Sequence, residues 1–225
     1  MWGNFEMTKK TIWGYAIFAV SILAGSAAHA QVQQLPRPKP GIAVARLPAT
    51  SNALPVGDAR PVWGWLDFCR RTPNDCRANG GKAQDVRLDA TSWSTLVEVN
   101  RSINAAIEPA TDQEHWGVAD RWDYPTDGKG DCEDYVLLKR KVLVERGFPR
   151  QALLVTVVVD QNGEGHAVLT VKTDHGDFVL DNMRDDILAW VKTGYRFVKR
   201  QSQEDPNRWV ALDDAVAAPA QVAAH

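Results

Sequence analysis

Asp131-Cys-Glu-Asp-Tyr-Val-Leu-Leu-Lys-Arg-Lys-Val-Leu-Val-Glu-Arg-Gly147, followed by Leu153-Leu-Val-Thr-Val-Val-Val159 and His166-Ala-Val-Leu-Thr-Val-Lys172, decides the fold. The first stretch reads as a helix over 131–146. Asp131 is placed to cap it, Asp134 stands three residues on, and Gly147 stops it after the last basic residue. The second and third stretches are rich in branched residues and flank the turn Asp160-Gln-Asn-Gly163-Glu-Gly165, as a hairpin does. Thr173-Asp-His-Gly176 is a further turn, and Asp177-Phe-Val-Leu-Asp181 is a third strand. A helix feeding an antiparallel meander makes the class α+β. Upstream, Leu96, Val99, Ile103 and Ile107 recur at helical spacing over 92–107, an amphipathic helix whose role is core packing.

Cys132 stands at the first turn of its helix, where the positive end of the macrodipole favours thiolate over thiol. Gly128 and Gly130 just before it leave room for a substrate backbone, and the Cys132 backbone N–H is a candidate oxyanion donor; the same loop also reads as a plain turn. Closing the 173–176 turn with two or four residues pairs Lys172 with Asp177, Thr170 with Val179 and Val168 with Asp181. His166 then lies diagonal to Asp181 on one face, about 7 Å away at the backbone and within reach of a hydrogen bond. Thiol, imidazole and carboxylate in this relation are what acyl transfer needs: Cys132 as nucleophile, His166 as base, Asp181 to fix the tautomer.

Gly130-Asp-Cys-Glu-Asp-Tyr135, Gly165-His-Ala-Val-Leu-Thr170 and Gly176-Asp-Phe-Val-Leu-Asp-Asn182 resemble the signature blocks of the bacterial transglutaminase-like cysteine proteinases, to which the LapG-type periplasmic proteases belong. The resemblance extends from about Trp65 to Trp209 and takes in Phe68-Cys69, Val99-Asn100, Ile107-Glu-Pro109, Asp112, Asp120 and Trp122. It implies a papain-like, transglutaminase-like fold with the nucleophile at a helix N-terminus packed on the sheet, and it assigns the same three residues, Cys132, His166 and Asp181. It also implies Ca2+ beside the nucleophile, with Asp131, Glu133 and Asp134 as ligands and Asp112 and Asp120 as weaker candidates. Clustered carboxylates suit calcium, yet the same acids would serve as helix caps and dipole partners without any metal, and consecutive helical residues alone do not supply its six or more oxygens. By the same resemblance the substrate is a protein, a large surface adhesin whose cleavage controls attachment and biofilm, and an inner-membrane regulatory protein is a partner. Amine transfer by the same triad, as in a transglutaminase or amidase, and a non-catalytic binding module on the same fold are the competing functions.

Lys9-Lys10, the apolar run 11–25 and Ala28-His29-Ala30 have the order of a cleavable signal peptide over 1–30, which points to the periplasm; an uncleaved anchor is the other reading. In an oxidising compartment a spare thiol needs a reason. Pro73 and Asn74 favour a turn that brings Cys69 and Cys76 within bonding reach, leaving Cys132 free, although spacing alone also permits two unpaired cysteines. Proline-rich residues 31–60 read as a flexible lead-in, 61–215 as a single catalytic domain and 216–225 as a disordered tail. The net charge is −2 with no basic block, which argues against nucleic acid as a partner. His115, His175 and His225 have no evident chemical partners. The scattered tryptophans read as core, Trp122 being the one placed to line a cleft.

Overall fold

The computed structural model describes residues 46–78 and 82–212. The leader over 1–30, the lead-in as far as residue 45 and the tail 216–225 lie outside the described residues. In chain order the elements are β1 (Pro55–Ala59), α1 (Trp63–Arg71), α2 (Ala90–Ala106), β2 (Glu108–Pro109), α3 (Asp112–Trp116), β3 (Lys129–Gly130), α4 (Cys132–Glu145), β4 (Leu153–Val159), β5 (Gly165–Thr173), β6 (Gly176–Asp181), β7 (Arg184–Ala189), β8 (Arg196–Gln201) and β9 (Trp209–Leu212). Among the described residues, one antiparallel sheet runs in the order β1-β9-β8-β4-β5-β6-β7, and β2 pairs with β3 in a short parallel ribbon. The class is α+β, with the helix that begins at Cys132 packed on the sheet.

Local chemistry explains the central meander. Asp160 Oδ1 accepts from the backbone N–H groups of Asn162 and Glu164, both at 2.8 Å, and Gly163 takes φ 87°, so the β4–β5 turn closes on its own side chain. Asp174 and His175 form the tip between β5 and β6, and the register pairs Lys172 with Asp177 and Thr170 with Val179. That is the register anticipated from the parity of the turn.

α4 ends at Gly147, φ 89°, as its stop signal requires. Its start departs from expectation. Asp131 occupies the N-cap position without a side-chain capping bond, and its Oδ2 instead accepts from the Asp112 backbone N–H at 3.2 Å. Asp134 Oδ1 accepts from Asp123 N at 2.7 Å. Both carboxylates turn away from their own helix toward an acid cluster built by neighbouring loops. α2 is conventionally capped: Asp89 and Ser92 exchange backbone and side-chain hydrogen bonds at 2.8 Å.

α4 packs on β5 and β6, and α2 packs on α4 and β7. Alternation along β5 sends Ala167, Leu169 and Val171 into the core with Leu96, Val99, Leu137 and Leu143, and Val168 into a second cluster with Ala53, Val158, Val179 and Phe197. Each fully buried aliphatic side chain stabilises the fold by about 2 kcal/mol relative to exposure.

The end of the lead-in is more ordered than its proline content suggests. Pro55–Ala59 is the edge strand β1, paired with β9, and residues 50–53 are bonded to the sheet before it. Buried Asp177 is the reason: it binds Lys172 Nζ at 3.0 Å, Arg200 at 2.8 Å and the backbone N–H of Ala53 at 3.0 Å. A fully partnered buried carboxylate of this kind pins the crossing segment in one place. Proline is tolerated at the edge because no ladder donor is lost there.

Candidate active site

Cys132 sits at the first turn of α4, 2% exposed. Its Sγ contacts two neighbours, donating to Glu133 Oε2 at 3.0 Å and accepting from the backbone N–H of Ala167 at 3.4 Å. Ala167 follows His166 in β5, so the thiol is stitched to the strand that carries the imidazole. His166 Nε2 bonds Asp181 Oδ1 at 2.9 Å across β5 and β6, as the register requires, and His166 Nδ1 is buried without a hydrogen-bond partner among the described residues. Cys69 and Cys76 are joined as a disulfide, and Cys132 is the free thiol.

Asp181 is held from several directions. Oδ1 also accepts from Met183 N at 3.0 Å, Oδ2 accepts from Tyr195 Oη at 2.7 Å, and its backbone carbonyl accepts from Asn104 Nδ2 at 3.0 Å. Burial opposes ionisation of this carboxyl, but the bonds from His166, Tyr195 and Met183 outweigh it, and the group stays below the usual carboxylate range. Behind it, Asn100 Nδ2 donates to the Arg184 and Asp185 carbonyls at 3.0 and 3.1 Å, while Asn100 Oδ1 accepts from Lys139 Nζ at 2.8 Å. α2 and α4 thereby fix the β6–β7 turn beside Asp181.

The second feature is a buried acid cluster. Carboxylate oxygens of Asp112, Asp131 and Asp134 lie within 4.8 Å of one another, and so do those of Asp112, Asp120 and Glu133. The family resemblance offered Asp131, Glu133 and Asp134 as ligands and Asp112 and Asp120 as weaker candidates; the fold brings all five together, with Asp112 common to both groups. Arg121 N donates to Asp112 Oδ2, and Asp131 Oδ1 has no donor. Burial first, then the neighbouring carboxylates, push Asp131 up to about 7 and Asp134 up to about 8, and raise Glu133 well above the usual carboxylate range. Gly130 serves this cluster rather than a substrate backbone, since a Cβ there would come within 2.6 Å of Asp134 Oδ2.

With the charges of the acid cluster unneutralised, the Cys132 thiol shifts against the direction anticipated from the helix dipole. Burial, then the charges of Glu133 and Asp131, push it well above the usual thiol range. Macrodipole stabilisation of about 1 kcal/mol is small beside desolvation of a thiolate next to carboxylates. Trp122 is fully buried, with its ring against Gly64, and lines no cleft. The His175 ring bonds its turn neighbour Asp174 at 2.8 Å, and its backbone N–H donates to Thr173 Oγ1 at 3.0 Å. His115, which lacks partners in the sequence reading, bonds Asp127 at 2.7 Å and stacks on Trp116.

A free cysteine on a helix beside a strand-borne histidine and aspartate is the arrangement of a papain-like thiol hydrolase. A family model described as bacterial transglutaminase-like cysteine proteinase BTLCP matches residues 56–217, and the chain belongs to that family of cysteine proteases. Among solved structures it is similar to Legionella pneumophila LapG, with 28% identity, a TM-score of 0.46, and coverage of 53% of this chain and 69% of that one. A calcium-bound structure of Legionella pneumophila LapG gives 24% identity and 0.46, covering 58% of this chain and 74% of that one. No curated protein sequence matches.

Proposed function

We propose that this cysteine protease is an endopeptidase of the periplasm that cleaves a cell-surface protein of adhesin type through an acyl-enzyme on Cys132. One observation carries the mechanism: Asp181 engages His166 Nε2, which leaves Nδ1 buried and free next to the strand segment that touches Cys132 Sγ. In that arrangement Nδ1 takes the thiol proton and the thiolate attacks the scissile carbonyl. The imidazolium, stabilised by Asp181, then protonates the departing amine, and water releases the acyl group by the reverse path. The Cys132 backbone N–H, one of the unpaired donors at the start of α4, is placed to meet the oxyanion. Export rests on the leader pattern of residues 1–30. Among the described residues no helix is long and apolar enough to cross a membrane. The adhesin-type substrate and an inner-membrane regulatory partner rest on the family resemblance.

The acid cluster fits a hard divalent cation. Its donors are all oxygen, they converge from α3, α4 and the loop between β2 and β3, and Asp131 Oδ1 has no hydrogen-bond donor among the described residues. Asp112, Asp120, Asp131, Glu133 and Asp134 would hold calcium, which when bound supplies the positive charge these carboxylates lack. Cys132 shares Glu133 with the cluster, so occupancy and thiol reactivity are linked.

Envelope proteins from cells expressing wild type or Cys132→Ala, with new N-termini mapped by terminal-amine labelling, test the reading. Fragments that require Cys132 support it. Identical sets of N-termini contradict it.

A further inference from the structure

The carboxylate that orients His166 is itself oriented, and by a residue from outside the three signature blocks. Asp181 is 1% exposed. Its Oδ1 is shared between His166 Nε2 and the Met183 N–H, whereas Oδ2 has one hydrogen-bond donor among the described residues, the Tyr195 hydroxyl at 2.7 Å. Arg184 Nε stands off at 3.9 Å from Oδ2 on a partly exposed side chain. The Tyr195 ring also meets the imidazole edge to face, with centroids 5.7 Å apart and planes at 75°. One side chain thus touches both partners of the His166–Asp181 bond.

The segment carrying Tyr195 is built to hold it. Thr193 Oγ1 donates to the Trp190 carbonyl at 2.9 Å and accepts from Tyr195 N at 3.2 Å, and Thr193 is buried. Gly194 between them takes φ 76°, and a Cβ there would lie 2.5 Å from Gln161 Nε2, so the tight turn that aims Tyr195 at Asp181 needs glycine. Burial, then the bond to Asp181, keep the phenol protonated well beyond its ordinary range, so it acts as a donor throughout the working pH range.

From this geometry we infer that Tyr195 is a positioning residue of the proposed triad: it locks the Asp181 carboxylate in the rotamer that holds the His166 ring by Nε2, with Nδ1 left over for the proton of Cys132. The inference rests on the protease reading. Without the hydroxyl, Oδ2 loses its hydrogen bond, the carboxylate is held through Oδ1 alone, and the His166 bond shares in the added motion about χ2.

The test compares wild type, Tyr195→Phe, Thr193→Val and Asp181→Asn in the full chain with calcium present. Two readouts are taken: the rate of Cys132 alkylation by iodoacetamide, and the downfield proton NMR resonance of the His166–Asp181 hydrogen bond. Wild type shows the resonance and alkylates at Cys132, and Asp181→Asn, which removes the charged acceptor, identifies the resonance. Tyr195→Phe is expected to keep its melting temperature within a few degrees, broaden or shift the resonance, and slow alkylation roughly tenfold, the effect of losing one hydrogen bond to a charged group. Thr193→Val keeps every triad side chain and loosens only the aim of Tyr195, so it gives the same changes in weaker form and stands in if Tyr195→Phe is poorly folded. An unchanged resonance and rate in both variants, with wild type reactive, overturns the role of Tyr195 and leaves the protease reading standing. A wild-type Cys132 that does not alkylate removes the protease reading and this inference with it.

Discussion

Cys132 Sγ donates to Glu133 Oε2 at 3.0 Å, so the thiol of the proposed nucleophile is bonded to the acid cluster while His166 Nδ1 takes no hydrogen bond. The nucleophile and the candidate metal site are therefore one electrostatic unit. Burial is the first cause that holds the proton on sulfur, and the carboxylate at 133 is the next. Glu133→Gln in chelator is predicted to lower the Cys132 thiol and so speed its alkylation at pH 8, while weakening calcium binding. Alkylation rates with mass-spectrometric site assignment check both halves.

The cluster also sets a pH dependence of stability. Asp131 and Asp134 titrate at about 7 and about 8 in the fold, above the 3.8 of an unperturbed aspartate, so the folded chain holds protons that the unfolded chain has released. Their contribution is fully present below the unfolded value and is lost as pH rises through 7 to 8. Metal-free protein is accordingly predicted to melt at a lower temperature at pH 8.5 than at pH 6. Calcium should reverse that trend, binding more tightly at pH 8.5 because fewer protons must be displaced. Calorimetry at the two pH values with calcium or chelator reads both effects.

Lys139 is fully buried, and burial lowers it to about 7 while Asp181 and Asp185 partly oppose the shift. Its hydrogen-bond acceptor is Asn100 Oδ1, and Asn100 also serves the Arg184 and Asp185 carbonyls. Asn100→Ala strands the Lys139 ammonium and takes a donor from the Asp185 carbonyl, while the Arg184 carbonyl keeps Asn104 Nδ2 at 3.1 Å, and should cost about 3 kcal/mol in urea denaturation at pH 7. Lys139→Met removes the buried ammonium together with its need for an acceptor, so it should cost less than half as much.

The Cys69–Cys76 bridge closes a loop with a sequence separation of 7. Chain-entropy reasoning for so short a loop gives about 2 kcal/mol. Replacing both cysteines with serine should lower stability by that amount in denaturant titration and leave Cys132 alkylation unchanged, since the bridge lies outside the site.

The meander and its chemistry were legible because turn parity, strand alternation and the place of Cys132 are local properties. Lys172 opposite Asp177 follows from the 173–176 turn, and His166 beside Asp181 follows from that register. What escaped the sequence depends on distant chain segments. Asp112, offered by the family resemblance only as a weaker candidate, takes a central place in the acid cluster because α3 folds back on the start of α4, and that cluster draws Asp131 and Asp134 away from capping their own helix. Burial of Cys132 against those acids then reverses the thiol shift anticipated from the helix dipole. β1 forms because Asp177 and Arg200 hold residue 53, a contact no proline count reveals. Tyr195 lies in a segment without periodicity, and its only local signal is the glycine before it.

The central claim is that His166, held by Asp181, activates Cys132 for acyl transfer. It is tested most directly by alkylating wild type, His166→Ala and Asp181→Ala with iodoacetamide across pH 5 to 9, with calcium present and the modified residue identified by mass spectrometry. The account predicts selective modification of Cys132 in wild type below the pH at which a free thiol reacts, and loss of that low-pH reactivity in both variants. A wild-type profile that follows an ordinary thiol, or one that neither substitution alters, would contradict it.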